Sequence, residues 1–216
     1  MEIIQNPLFA DKVDIAVQAD KIKRPLVYKS HVKKKISKKM FAEKTCAEAI
    51  GELPIGVHVF GLTKGQFSII DIIRHVVSQV GPCDLVMSTW TAAHSELRTV
   101  FDMLQSGDVK KMRMLVDFSF QRRAPALLHQ VRELFGQESV RVSKSHAKFY
   151  LIKTESRKFV IRTSMNLNFN PRLEDFTIEE DYDLYEFLER FIDDMFDVKF
   201  NENATAACSY QQFKIL

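Results

Sequence analysis

Glycine and cysteine are scarce in this chain of 216 residues, with seven and three copies, and tryptophan occurs once, at position 90. Cys46, Cys83 and Cys208 are odd in number, far apart and form no CxxC pair. That excludes a disulfide framework, makes thiolate-held metal an unlikely use of them, and suits reduced thiols in a cytoplasmic protein. No apolar run approaches the ~20 residues that cross a bilayer, so no membrane partner is expected. The N-terminus, Met1 to Asp14, lacks a basic stretch, an apolar core and a small-residue cleavage site in series. Gly61-Leu62-Thr63-Lys64-Gly65 lacks the GxxxxGK[ST] spacing and reads as a strand-to-helix turn rather than a nucleotide cradle. His58, His75, His94 and His129 lie in different elements with no metal-ligand spacing, so no metal and no cofactor are expected.

What is present is a charge asymmetry. Residues 1–44 carry eleven Lys/Arg against five Asp/Glu, while the remainder carries twenty against twenty-three. The run KIKRPLVYKSHVKKKISKKM is almost purely cationic, and such runs attract polyanions through counterion release. Residues 1–45 are therefore read as a basic arm, with Lys33, Lys34, Lys35, Lys38 and Lys39 as nucleic-acid contacts. His31-Val32-Lys33 has no strand formers around it and no Ser-x-Asn at hairpin distance. It is treated as coincidence. At the other end, Glu174 to Asp197 holds eleven carboxylates against one arginine. Most of these form the solvated face of a helix whose Leu184, Phe187, Leu188, Phe191, Ile192 and Met195 pack inward. Nucleic acid should approach from the opposite side. Residues 201–216 form a tail without a readable pattern.

Residues 46–200 read as one α/β domain. Ile55–Gly61 is a β-branched run, and FSIIDIIRHVVSQV is an amphipathic helix stopped by Gly81-Pro82. CDLVMSTW is a strand apolar enough to be buried on both faces. Thr91 caps a helix ending at Gly107. KKMRMLVDFSF reads as a strand, RAPALLHQVRELFG as a helix and SVRVS as a short edge strand. This order predicts a mostly parallel central sheet with helices on both faces, made mixed by a later hairpin. Ser88-Thr89-Trp90-Thr91 closes a buried strand, where open α/β sheets place binding residues, and Trp90 is a candidate platform for a base. Asp117 ends a strand near this region. Arg113, Arg122 and Arg123 are either phosphate contacts or surface charge.

The most specific feature is Ser145–Glu174, SHAKFYLIKTESRKFVIRTSMNLNFNPRLE. A strand over 146–152 puts His146 and Lys148 on one face. A second strand, Phe159–Thr163, ends just before Ser164-Met165-Asn166. A hairpin would bring Ser-x-Asn beside His-x-Lys, gathering a nucleophile, a cation, a hydroxyl and an amide. These are the groups a phosphate diester needs for charge neutralisation and attack on phosphorus. His146-Ala147-Lys148 followed by Thr163-Ser164-Met165-Asn166, Glu174, the strand DFTI and a long helix resembles the HxK…GSxN signature of the phospholipase D superfamily. The order is similar to its small nuclease members with one motif per chain. Two positions depart from the pattern: Lys153 stands where the motif has Asp, and Thr163 where it has Gly.

The resemblance implies a phospholipase D-like fold and a metal-independent phosphodiesterase. His146 would attack phosphorus and form a phosphohistidine that water hydrolyses. Lys148, Ser164 and Asn166 would hold the phosphoryl oxygens, and Glu174 would orient the imidazole. With one motif per chain, the histidine that protonates the leaving oxygen should come from a second copy, so a homodimer sharing one active site is expected. The cationic arm favours a nuclease, with DNA ahead of RNA, of a kind found in phages and in mobile or restriction-type systems. The alternative is a catalytically silent nucleic-acid-binding or assembly protein on the same scaffold. A weaker third reading is action on lipid headgroups.

Overall fold

A computed structural model describes residues 36–39 and 45–197. Eight strands form one sheet: β1 (Ile36–Lys39), β2 (His58–Thr63), β3 (Cys83–Thr89), β4 (Val109–Asp117), β5 (Val140–Ser143), β6 (Phe149–Lys153), β7 (Lys158–Thr163) and β8 (Glu174–Glu179). Their spatial order is β1-β2-β8-β7-β6-β3-β4-β5. The helices are α1 (Cys46–Ile50), α2 (Ile69–Val80), α3 (His94–Ser106), α4 (Phe118–Arg123), α5 (Pro125–Phe135) and α6 (Tyr182–Asp197).

The sheet is mixed, as expected, but it is not mostly parallel in its pairing. β1–β2, β3–β4 and β4–β5 are parallel, whereas β2–β8, β8–β7, β7–β6 and β6–β3 are antiparallel. The reason is insertion. The β6–β7 hairpin and β8 sit between β2 and β3, so two strands joined by α2 are neighbours in sequence and not in space. β1 lies inside the cationic run, where no strand was expected, and its Lys38 and Lys39 register with Gly61 and Leu62 of β2. Lys33, Lys34 and Lys35 lie outside the described residues, as does the tail from 201 onward.

Local sequence accounts for the elements. In α2, Ile69, Ile70, Ile72, Ile73, Val76 and Val77 are buried, and Asp71 accepts a hydrogen bond at 2.7 Å from the backbone N–H of Ser68 at the helix start. Each of those aliphatic side chains contributes roughly 1.5–3 kcal/mol by leaving water. β3 is buried at five successive positions, Leu85 to Thr89, so both faces of this central strand are covered. α6 packs on the neighbouring strand β6 through Phe191, whose ring meets Phe149 edge-on at 6.5 Å. Leu184, Ile192 and Met195 of α6 are buried as expected, and Tyr185 joins them. Arg113, in β4, is tied to α6 by Glu189 and Asp193 rather than left as a phosphate contact.

Two boundaries differ from the sequence expectation. The strand read as KKMRMLVDFSF stops at Asp117, because the Asp117 carboxylate caps a short helix by accepting from the Ser119 amide at 2.8 Å. Thr91 does not cap α3, which begins at His94 after Ala93. Its carbonyl instead accepts the Leu167 amide at 3.1 Å, fastening the loop after β7 to the end of β3.

Candidate active site

Four strand ends meet at one edge of the sheet: the C-terminal ends of β3, β4 and β7 and the N-terminal end of β6, with the start of β8 beside them. His146 and Lys148 do not lie in the ladder, since β6 begins at Phe149. They occupy an extended lead-in held by three neighbours. Ser145 N–H donates to Asp117 Oδ2 at 3.1 Å. The buried Ser88 hydroxyl donates to the Ala147 carbonyl at 3.0 Å. Thr163 N–H reaches the Lys148 carbonyl at 3.4 Å. The last of these brings Thr163 alongside Lys148.

His146 is exposed. Its ring lies 5.5 Å from that of Trp90, tilted by 52°, and its Nδ1 is 3.2 Å from Lys148 Nζ. Lys148 Nζ also donates to the His146 carbonyl at 3.0 Å. An ammonium only donates, so this contact makes Nδ1 the acceptor and leaves the ring proton on Nε2. Burial holds the Lys148 pKa below the usual lysine value, while the carboxylates of Glu174 and Asp117 pull it the other way.

Glu174 is nearly buried. Its oxygens are occupied by the Ser164 hydroxyl and by Asn170 Nδ2 at 2.6 Å. The imidazole contact expected of Glu174 is therefore not made here, where the His146 Nδ1 faces Lys148. Ser164 is equally committed: besides donating to Glu174, its oxygen accepts the Asp175 amide at 3.0 Å. In this arrangement Ser164 and Glu174 lock the end of β7 to the start of β8.

Asn166 and Asn168 each present a carboxamide oxygen that is buried and has no hydrogen-bond partner. Buried polar atoms are rarely left so, and a ligand is one way to satisfy them. The residue between them is anchored. Leu167 N–H donates to Thr89 Oγ1 at 3.1 Å, and its carbonyl accepts from Ala93 N–H at 2.8 Å.

Three residues passed over or left unassigned in the sequence reading belong here. Asp117 joins the cap of α4 to the His146 lead-in, and an Asp-x-Ser at a strand end was the signal for it. Arg123 sets its guanidinium over the Trp90 ring, 3.9 Å from the centroid. Asn170, in a loop read only as polar, holds Glu174. Trp90, offered as a base platform, thus has one face covered by Arg123 and His146 beside it.

Lys153, at the motif's Asp position, lies at the far end of β6 from this cluster, 3.9 Å from Glu189 of α6. Among the described residues no group of three or more His, Cys, Asp or Glu is arranged to hold a metal ion, and no helix is long and apolar enough to cross a membrane.

No family model and no curated protein matches this chain. Among solved structures, it is similar to a polyphosphate kinase from Porphyromonas gingivalis at 14% identity and a TM-score of 0.48, covering 68% of this chain and 27% of that one.

Proposed function

We propose that this protein is a metal-independent phosphodiesterase, a homodimeric nuclease that works through a phosphohistidine on His146. One observation carries the reading: an exposed imidazole and a lysine ammonium 3.2 Å apart at a confluence of strand ends. An incoming phosphate draws Lys148 onto a phosphoryl oxygen. Nδ1 is then free to carry the ring proton, and Nε2 becomes the nucleophile. Nε2 bonds to phosphorus as the bond to the leaving oxygen breaks, and His146 of the second copy donates a proton to that oxygen. The same residue then takes a proton from water, which attacks phosphorus and releases His146. Lys148 and the Asn166 amide stabilise the negative charge of both transition states. The basic run within residues 1–44 favours DNA or RNA as the diester.

Lys153 bears on competence only at a distance. It stands a strand's length from the imidazole and helps seat α6, so its replacement of the motif's Asp leaves the chemistry of the site in place. The second reading, a silent nucleic-acid-binding protein, is favoured by one fact: both Glu174 oxygens are taken by Ser164 and Asn170. The two are separated by incubating pure protein with labelled DNA and RNA in chelator, followed by acid-quench trapping of a protein–phosphate adduct. The enzyme cleaves and is trapped, and His146→Ala abolishes both. Salt-sensitive binding with no cleavage of any diester selects the silent protein.

A further inference from the structure

Arg123 is the last residue of α4, and its guanidinium is fixed from three directions. It lies on Trp90 at 3.9 Å, its Nε donates to the Ser119 carbonyl at 3.2 Å, and its Nη2 donates to Ser119 Oγ at 3.2 Å. Ser119 is held in turn, its amide and hydroxyl both donating to Asp117 Oδ1. The neighbouring Arg122 has no such frame and rests over Phe118 at 5.9 Å. An exposed arginine ordinarily samples many rotamers at an entropic cost of about 2 kcal/mol when immobilised. Here that cost is met within the free protein, which is what preorganisation for an anion looks like.

The placement says which anion. The same indole carries Arg123 over its face and His146 beside it. The planar cation and the imidazole therefore meet the same ring, while the phosphorus that His146 attacks already has its own cation in Lys148, 3.2 Å from Nδ1. Among the described residues, two of its N–H donors find acceptors, out of the five a guanidinium carries. We propose that Arg123 binds a second phosphate group of the substrate, the one adjacent in the chain to the phosphate attacked by His146. The substrate is thereby a polynucleotide strand, not an isolated diester. This rests on the phosphodiesterase reading and narrows it. Trp90 serves here as the shelf for the guanidinium rather than as a base platform.

The test compares a DNA dinucleotide with one phosphate against the same dinucleotide carrying an additional 5′-phosphate, with bis(p-nitrophenyl) phosphate as a minimal diester. The expected result is that Arg123→Ala lowers the ratio of kcat/KM for the two-phosphate over the one-phosphate dinucleotide by about tenfold, the worth of one charge-assisted pair. Arg123→Lys restores part of it, and Arg122→Ala keeps the wild-type ratio. A ratio within about twofold of wild type in Arg123→Ala overturns the proposal.

Binding gives a readout independent of turnover, because Trp90 is the sole tryptophan. In a His146→Asn background, intrinsic fluorescence titrated with each dinucleotide should show the two-phosphate probe losing its advantage when Arg123 is replaced. Equal affinity of the two probes with Arg123 intact also overturns it. Wild-type protein that hydrolyses none of the three compounds refutes the phosphodiesterase reading, while the fluorescence arm still decides the role of Arg123.

Discussion

A Cβ placed on Gly65 would lie 2.8 Å from the Cα of Pro171. The turn between β2 and α2 and the loop between β7 and β8 are in backbone contact there, and Gly65 holds φ at +76°. Pro171 follows Asn170, whose amide holds Glu174. A backbone atom cannot swing aside as a side-chain tip can, so Gly65→Ala must push this loop outward. The expected outcome is a loss of about 1–2 kcal/mol from the positive φ, with a fall in diester hydrolysis of about tenfold or more from misplacement of the Ser164–Glu174 lock. Gly56→Ala is the control: φ there is +70° but nothing lies within 4 Å. It should lose comparable stability and keep its activity, as read by thermal melts beside kcat.

Lys148 gives a pH prediction with a fixed sign. Burial depresses its pKa from the ordinary 10.5, against the pull of Glu174 and Asp117. Between the folded value and 10.5 the unfolded chain binds more protons, so this residue's contribution to stability rises with pH across that window. Activity goes the other way, because a neutral amine cannot neutralise a phosphoryl oxygen. The pH–rate profile should show an alkaline limb below 10.5, and Lys148→Arg, charged throughout, should flatten that limb while lowering kcat. A limb unchanged by Lys148→Arg would remove the lysine from the chemistry.

Much of this was legible because it is local. Ser-x-Asn follows a strand at hairpin distance from His-x-Lys, and that spacing was enough to expect the two segments at the same end of the sheet, although the strand itself starts only at Phe149. β3 was recognisable from CDLVMSTW, since a strand buried on both faces needs an apolar residue at nearly every position. What was not legible depends on long-range pairing. Nothing in HVFGLT says that β2 pairs with β8, and nothing in ISKK, set among lysines, says that it makes a strand with β2 as its template. The partners of Glu174 were misassigned for a related reason. Sequence supplies a carboxylate near the site, but Ser164 and Asn170 capture it through a loop whose path is set by Gly65 and Pro171. Arg123 and Trp90 are thirty-three positions apart, and no periodicity links them.

Asp117 couples the cap of α4 to the lead-in of His146, so Asp117→Asn should act at two levels. Asn caps as well as Asp, but it has one oxygen, so keeping the bond from Ser119 N–H turns its NH2 toward Ser145 N–H and breaks that 3.1 Å bond. Lys148 also loses one of the two carboxylates that hold its pKa up. The alkaline limb should therefore move to still lower pH, a shift that simple loosening of the fold would not produce. An unmoved limb would show that Asp117 acts through its hydrogen bonds to Ser119 and Ser145 alone.

The largest effect on stability should come from a site remote from the chemistry. Arg157, in the turn between β6 and β7, donates to both oxygens of Glu180 at 2.8 and 2.9 Å and to the carbonyls of Leu53 and Pro54 at 3.0 and 3.1 Å. It therefore ties the hairpin, the end of β8 and the segment before β2 together. Burial alone would raise the Glu180 pKa, but hydrogen bonds from Arg157 and the Gly56 amide outweigh it and leave the pKa low. Removing the arginine strands a mostly buried carboxylate and two carbonyls, so Arg157→Ala should cost about 2–4 kcal/mol. A depressed carboxylate contributes stability above its unfolded pKa and loses it as pH falls through the folded one. The difference between wild type and Arg157→Ala should accordingly be full at neutral pH and shrink on acidification below the ordinary Glu value of 4.5. Urea melts at neutral and acid pH would check it, and a difference independent of pH would show that the carbonyl contacts, not Glu180, are what Arg157 contributes.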